Sequence, residues 1–186
     1  MKILSVFTAL IIAAVAIAFE PVTLKDSKTG MTVTLYPIPD EENLLFYGNN
    51  RIGYNVNIPH KIFTKVVLLP QNEDGMTLES KDGKARFRVT GGRIMNEGIL
   101  KESYDKACKA IGGEQKASYF DFGNDYWKLC WWKGKTFYSR KFVIDTEKNA
   151  WGECEIYYVT SNGEGTYDPR SEIINNAIES LVFAKG

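Results

Sequence analysis

The sequence predicts a single α+β domain in which an antiparallel sheet is flanked by two helices. Most of the chain consists of short runs in which apolar and polar residues alternate between turn residues, as in half-buried strands. Two segments instead repeat their apolar residues every three or four positions, as amphipathic helices do. The order is a block of strands, a helix, further strands and a final helix, which is typical of α+β architecture.

The first half of the chain is predicted to form strands bounded by turns. These strands are Val22–Leu24, Met31–Tyr36, Leu44–Tyr47, Ile52–Ile58, Phe63–Leu69, Met76–Ser80 and Ala85–Thr90. The first two form a hairpin, since only turn residues separate them. The last two form another, because the Asp82-Gly83 step between them suits the positive φ of a tight turn. Gly91-Gly92 is expected to close this block.

The pattern then changes to a helix over Gly98–Ala110, which Gly112-Gly113 is expected to end. Four further strands form a meander, with Asn149–Gly152 in a loop before the last of them. These strands are Ser118–Phe122, Tyr126–Trp132, Lys135–Ile144 and Glu153–Thr160. A second helix closes the chain, with Asp168 as its N-cap and Pro169 at its first position.

The N-terminus has the features of a cleavable signal peptide over Met1–Ala18. Lys2 precedes an apolar run that ends in the small residues of Ala16-Ile17-Ala18. The alternative is an uncleaved membrane anchor, but the run is shorter than the ~20 residues that a span needs. Residues 19–186 are therefore expected to be one exported domain, periplasmic or extracellular. No later run predicts a membrane span after cleavage.

The charge of the chain argues against a nucleic-acid partner. Lys and Arg number 23, as do Asp and Glu, and removing Lys2 with the signal peptide leaves the remainder near −1. A protein that binds nucleic acid through phosphates needs a clustered excess of positive charge. The balance equally gives no polybasic patch for a membrane surface.

Three cysteines, Cys108, Cys130 and Cys154, are an odd number for an exported chain. One disulfide with a free thiol, an intermolecular bridge and three free thiols are all open. In an oxidising compartment one intramolecular pair is expected, and the sequence does not specify which. The spacings match no zinc pattern.

No catalytic, cofactor or metal-binding residue is predicted. The single histidine, His60, has no local nucleophile or orienting acid. Cys130 lies among aromatic strand residues, where a thiol is usually buried and inert. Neither glycine pair has the lysine of a phosphate-binding loop. The Asx-rich turns at 72–74 and 121–125 lack the spacing of an EF-hand.

A dense aromatic segment is the predicted binding surface. Trp127 and Trp131 share one strand face, which is assigned to the core, and Trp132 points to the other. If that second face is uncovered, it binds a sugar, a peptide or a partner protein. The candidate residues are Trp132, Tyr126 and Tyr138.

The chain resembles a bacterial secreted family of unknown function. The matching segments are the run from Asn50 to Pro59, the turn Asn72–Gly75, the run Ser80–Val89, the strand Lys135–Tyr138, and a final helix with Tyr167, Asp168, Pro169, Ile178, Ser180 and Leu181. Tyr158 and Val159 depart from the proline of the family pattern. The element order is also similar to the PsbP/Mog-type α/β/α sandwich.

This resemblance implies a fold and a role. It implies a PsbP/Mog-like sandwich and, since PsbP-type relatives are accessory subunits, a non-enzymatic protein with a protein partner in the envelope or medium. Two alternatives remain open. One is a small secreted hydrolase whose site assembles from distant residues such as His60 and Cys130. The other is an envelope accessory protein that dimerises through a cysteine.

Overall fold

A computed structural model describes residues 20–161 and 170–184, which form twelve β-strands and two α-helices. The predicted signal peptide and the predicted helix start at Asp168 and Pro169 lie outside these residues. The elements are β1 (Val22–Lys25), β2 (Thr32–Pro37), β3 (Leu45–Gly48), β4 (Tyr54–Ile58), β5 (Phe63–Leu68), β6 (Gly75–Ser80), β7 (Ala85–Arg93), α1 (Ile99–Ile111), β8 (Ala117–Phe122), β9 (Tyr126–Lys133), β10 (Thr136–Asp145), β11 (Ala150–Val159), α2 (Arg170–Glu179) and β12 (Val182–Phe183).

The strands divide between two antiparallel sheets. The small sheet has the order β1-β2-β3-β4-β12 and the large sheet the order β5-β6-β7-β11-β10-β9-β8. The chain crosses between them after Pro59, whose ring cannot supply the N–H that a continuing ladder needs. The α+β class is confirmed, and the structure adds a second sheet on one side of the predicted one.

Two apolar clusters fill the spaces on either side of the large sheet. One lies between the two sheets, where α2 also packs through Ile174, Ala177 and Ile178. The other lies beneath α1 and is built around Trp127 and Phe142. Both clusters exclude water from the parts of the large sheet that they cover.

Strands β7 and β11 are longer than predicted, because Gly91-Gly92 is not a turn. Gly91 and Gly92 pair with Gly152 and Trp151 inside the ladder. A Cβ on Gly91 would lie 2.6 Å from the Tyr54 ring and 2.7 Å from the Trp151 carbonyl oxygen. The glycines therefore permit close packing within the strand, a use that local sequence does not distinguish from a turn.

Helix α1 ends as predicted. Gly112 adopts φ of 92°, and the Gly113 N–H donates to the Cys108 carbonyl at 2.8 Å. Glycine adopts this left-handed backbone conformation without steric cost, which is why it commonly ends helices. Among residues 20–161 and 170–184, neither helix is long and apolar enough to cross a membrane.

Candidate interaction surface

The α1 side of the large sheet carries a continuous row of side chains across six strands. The register places Trp131 of β9 beside Tyr138 of β10, Tyr157 of β11 and Arg86 of β7. Glu79 of β6 and Lys65 of β5 continue the line. Paired residues of an antiparallel sheet project from the same face, so the ladder itself aligns these side chains. We call Trp131, Tyr138, Tyr157 and Arg86 the aromatic–arginine row.

The rings of the row cover one another's faces. Trp131 and Tyr138 stack with centroids 4.9 Å apart and planes 5° apart. Tyr138 and Tyr157 lie 5.4 Å apart and tilted by 43°. The Arg86 guanidinium carbon lies 5.8 Å from the centroid of Tyr157. Trp131 therefore covers one face of Tyr138, the guanidinium lies over Tyr157, and the two tyrosine rings contact each other at an angle.

A groove runs beside this row, between α1 and the sheet. Its volume is about 430 Å³, and it is lined by Ala107, Ala110, Ile111, Trp131, Trp132, Lys133, Tyr138, Arg140 and Glu155. Helix α1 packs on β9 and β10. Beyond them, at β11 and β7, no helix of the described chain covers the row, which leaves Tyr157 partly exposed and Arg86 with 41% of its side chain exposed.

Charged groups fix the outer end of the row. Arg86 Nη2 donates to Glu79 Oε1 at 3.0 Å, and Lys65 Nζ approaches Glu79 Oε2 at 3.4 Å. The bond from Arg86 lowers the pKa of Glu79, and the same carboxylate raises the pKa of Arg86. Arg86 Nε is buried and has no hydrogen-bond partner in the described chain. The guanidinium is thus held by one carboxylate through Nη2, while its Nε–H is left unsatisfied.

The inner side of the groove contains a carboxyl group whose charge is disfavoured. Burial raises the pKa of Glu155, and the positive charge of Arg140, its facing partner, only partly offsets this effect. Burial also raises the pKa of Tyr138, which is therefore a neutral hydroxyl donor near neutral pH.

Of the three residues predicted as a binding surface, only Tyr138 lies in the row. Trp132 borders the groove at the end of β9, but its ring lies 5.1 Å from Phe137 on the opposite face of the sheet. Tyr126 is elsewhere: its hydroxyl donates to Asp121 at 2.7 Å, and it lines a separate cavity.

Sequence reasoning missed Tyr157 and Arg86 and assigned Trp131 to the core. Trp127 is fully buried as predicted, whereas Trp131 is only partly buried. The alternation of Arg86 with the core residue Phe87 shows that Arg86 is on an outer face. It does not show which aromatic residues lie beside it, because strand pairing is a long-range property.

The structure holds all three cysteines as buried free thiols. Cys108 is part of α1 and packs against one face of the large sheet, whereas Cys130 and Cys154 project from the other face. Strand β10 separates Cys130 from Cys154, a spacing of about 10 Å between strands, and a disulfide joins Cα atoms at most ~7 Å apart. This fold does not bring the expected intramolecular pair together.

The structure separates the residues considered for a hydrolase. Cys130 hydrogen-bonds Ser139 on β10, and burial raises the pKa of its thiol. His60 precedes β5, and β5 lies five strands from β9, which is about 24 Å at the usual strand spacing. The two side chains cannot form a nucleophile–base pair. No cluster of three or more His, Cys, Asp or Glu side chains in the described chain could hold a metal ion.

Comparison with known proteins shows the fold alone. No family model matches the chain, and no curated protein sequence does so. Among solved structures it is similar to the Ran-binding protein Mog1p of Saccharomyces cerevisiae, with a TM-score of 0.50 and 7% identity over 76% of this chain and 95% of that one. A point mutant of protein Mog1 gives a TM-score of 0.49 and 6% identity over 76% and 96%. The expected Mog-like fold is confirmed, and nothing in these comparisons supports membership of a bacterial secreted family.

Proposed function

We propose that this chain is an exported, non-enzymatic domain that binds a protein partner through the aromatic–arginine row. The observation that carries the proposal is the uncovered end of the row, where Tyr157 and Arg86 remain accessible on a rigid seven-stranded sheet. Tyrosine, tryptophan and arginine are the residues that dominate binding energy at protein interfaces.

The ring geometry favours a protein over a sugar. A sugar stacks its apolar face on a free aromatic face, whereas Trp131 stacks on Tyr138, and the Arg86 guanidinium lies over the Tyr157 ring. What remains is a line of ring edges, hydroxyl groups and one guanidinium. Such groups combine apolar contact with hydrogen bonds at low cost in side-chain entropy, as protein interfaces require.

The fold and the N-terminus supply the remaining support. The similar solved structure carries the name of a Ran-binding protein, so a protein of this fold binds another protein. The apolar run before Ala18 motivates the export of residues 19–186 to the periplasm or the medium. The proposed role is therefore that of an accessory subunit outside the cytoplasm.

The test is site-specific photocrosslinking in the producing cell. A photoreactive phenylalanine derivative replaces Tyr157, and the matched control replaces Tyr36, an exposed tyrosine of the small sheet. We expect one discrete crosslinked protein from position 157 and none from position 36. Arg86→Gln, made in the Tyr157 reporter, keeps a hydrogen-bond donor for Glu79 and should remove most of the product without changing the melting temperature by more than a few degrees.

Equal crosslinking from both positions, or none from either, contradicts the proposal. Fractionation of the same cells tests export separately, because a chain retained in the cytoplasm with its N-terminus intact contradicts export alone.

A further inference from the structure

The second accessible feature of the large sheet is its β8 edge. In the described chain β8 pairs with β9 alone, so the outer backbone groups of β8 have no strand partner. Tyr119 and Phe120 are each 51% exposed and Phe122 is 42% exposed. Phe120 pairs with Leu129 and Phe122 with Trp127, so both project toward the α1 side. Tyr119 pairs with Cys130 and projects toward the other side. Exposed aromatic rings thus flank a free ladder on both faces.

The opposite edge of the same sheet is protected. Strand β5 changes register between Phe63 and Lys65 and again between Val66 and Leu68. Such irregularities, together with an edge lysine, are devices that prevent edge-to-edge pairing. Strand β8 has one register irregularity near its start, no proline and one charged residue, Asp121. Strand pairing through β8 is therefore open, and pairing through β5 is obstructed.

We propose that β8 pairs in antiparallel orientation with β8 of a second copy of this chain, forming a two-fold dimer. The contact is self-complementary in charge, because exposed Lys116 precedes the strand and Asp121 lies near its other end. Antiparallel pairing brings each lysine toward the partner's acidic end, whereas parallel pairing would align like charges. Use of the same edge by both copies closes the assembly, while the protected β5 edge blocks growth into fibres.

The exposed area sets the strength of this dimer. A buried aromatic side chain covers about 150–250 Å², so three half-exposed rings offer roughly 300 Å² on each copy. A stable interface buries about 800 Å² on each partner. The dimer is accordingly weak and reversible, and it forms only at protein concentrations in the micromolar range or above.

Sedimentation velocity of the purified protein over a wide range of concentration tests the proposal. We expect the weight-average sedimentation coefficient to rise from the monomer to the dimer value with increasing concentration. Phe120→Lys should raise the dissociation constant at least tenfold. Leu68→Lys is the matched control, since Leu68 is a similarly exposed apolar residue (47%) on the β5 edge, and it should leave the constant unchanged. Circular dichroism verifies that both variants fold.

A second readout does not depend on destabilising the contact. Cysteines introduced singly at positions 118–120 should give disulfide-linked dimers under mild oxidation, and a cysteine at Leu68 should not. A sedimentation coefficient that stays at the monomer value throughout overturns the proposal. So does a dimer that Phe120→Lys leaves intact, or one that Leu68→Lys abolishes.

Discussion

Arg140 on β10 holds the buried carboxylate of Glu153 on β11 through two hydrogen bonds. Nε donates to Oε1 at 2.9 Å and Nη2 donates to Oε2 at 2.7 Å. Glu153 is 8% exposed, and the guanidinium also lies 5.5 Å from the centroid of the fully buried Trp127. Glu155 Oε2 also lies 3.9 Å from the same Nε. One arginine thus connects the core under α1 to the groove beside the row.

Replacing this arginine should therefore destabilise the fold. Arg140→Met leaves Glu153 buried without its hydrogen-bond donors. A buried carboxylate without a partner lowers the stability of the fold by about 2–4 kcal/mol. We expect the free energy of unfolding in urea to fall by this amount. The double variant Arg140→Met with Glu153→Leu should recover most of the loss, because no charge remains buried. A double variant no more stable than the single one would contradict this account.

The two adjacent glycines of β7 should differ sharply in tolerance to alanine. A Cβ on Gly91 meets the Trp151 carbonyl at 2.7 Å and the Tyr54 ring at 2.6 Å, whereas one on Gly92 meets only the Trp151 indole at 3.0 Å. Backbone cannot move aside without breaking the ladder, but an indole can shift. Gly91→Ala should cost about 2–4 kcal/mol and Gly92→Ala under about 1 kcal/mol by denaturant unfolding. Equal losses would show that packing at Gly91 is not the constraint.

These glycines illustrate what the sequence could and could not predict. The helix over Gly98–Ala110 was located to within a residue at each end, because its periodicity and its Gly112 stop are local signals. Gly91-Gly92 gives the same local signal as a turn, yet its role depends on Tyr54 from the other sheet. The division into two sheets and the two-residue strand β12 depend equally on long-range pairing.

The residues of the proposed interaction surface could be identified only in part from the sequence, for the same reason. Trp132 and Tyr138 stand out by composition, but only Tyr138 lies on the face that carries the row. The row itself depends on the register that aligns Tyr138 with Tyr157 and Tyr157 with Arg86, residues separated by up to 71 positions in the sequence. Period-two alternation assigns each residue to a face, but it does not identify the neighbours on that face.

The three thiols should be unreactive in the folded protein. Burial raises the pKa of Cys130 and, still further, that of Cys154, and thiolate is the reactive form. We expect a disulfide-exchange reagent such as DTNB to label these two at least a hundredfold more slowly in buffer than in guanidinium. In guanidinium it should count three thiols in each chain. A count of one would establish an intramolecular disulfide and contradict the arrangement of free cysteines.

The Asp26 carboxylate should make stability fall in acid. Its Oδ1 accepts from the Lys28 N–H at 2.8 Å and its Oδ2 from the Leu69 N–H at 3.1 Å, which ties the first hairpin to the chain after β5. These bonds, that from Lys28 foremost, lower the pKa of Asp26 below the ordinary 3.8. A lowered folded-state pKa gives stability that is fully present above the unfolded value and is lost as the pH falls through the folded one.

The variant Asp26→Asn tests this contribution directly. An amide has one accepting oxygen in place of two and turns its NH₂ group toward one of the backbone donors. The variant should therefore be less stable than the parent at neutral pH. The difference should shrink as the pH falls below about 4 and vanish once Asp26 is protonated in both states of the parent. Urea unfolding between about pH 7 and about pH 2 measures it, with the exposed Asp40→Asn as the control. A stability difference that stays constant across this range would mean that the pKa of Asp26 is the same in the folded and unfolded states. The loss would then come from hydrogen-bond geometry and not from the charge.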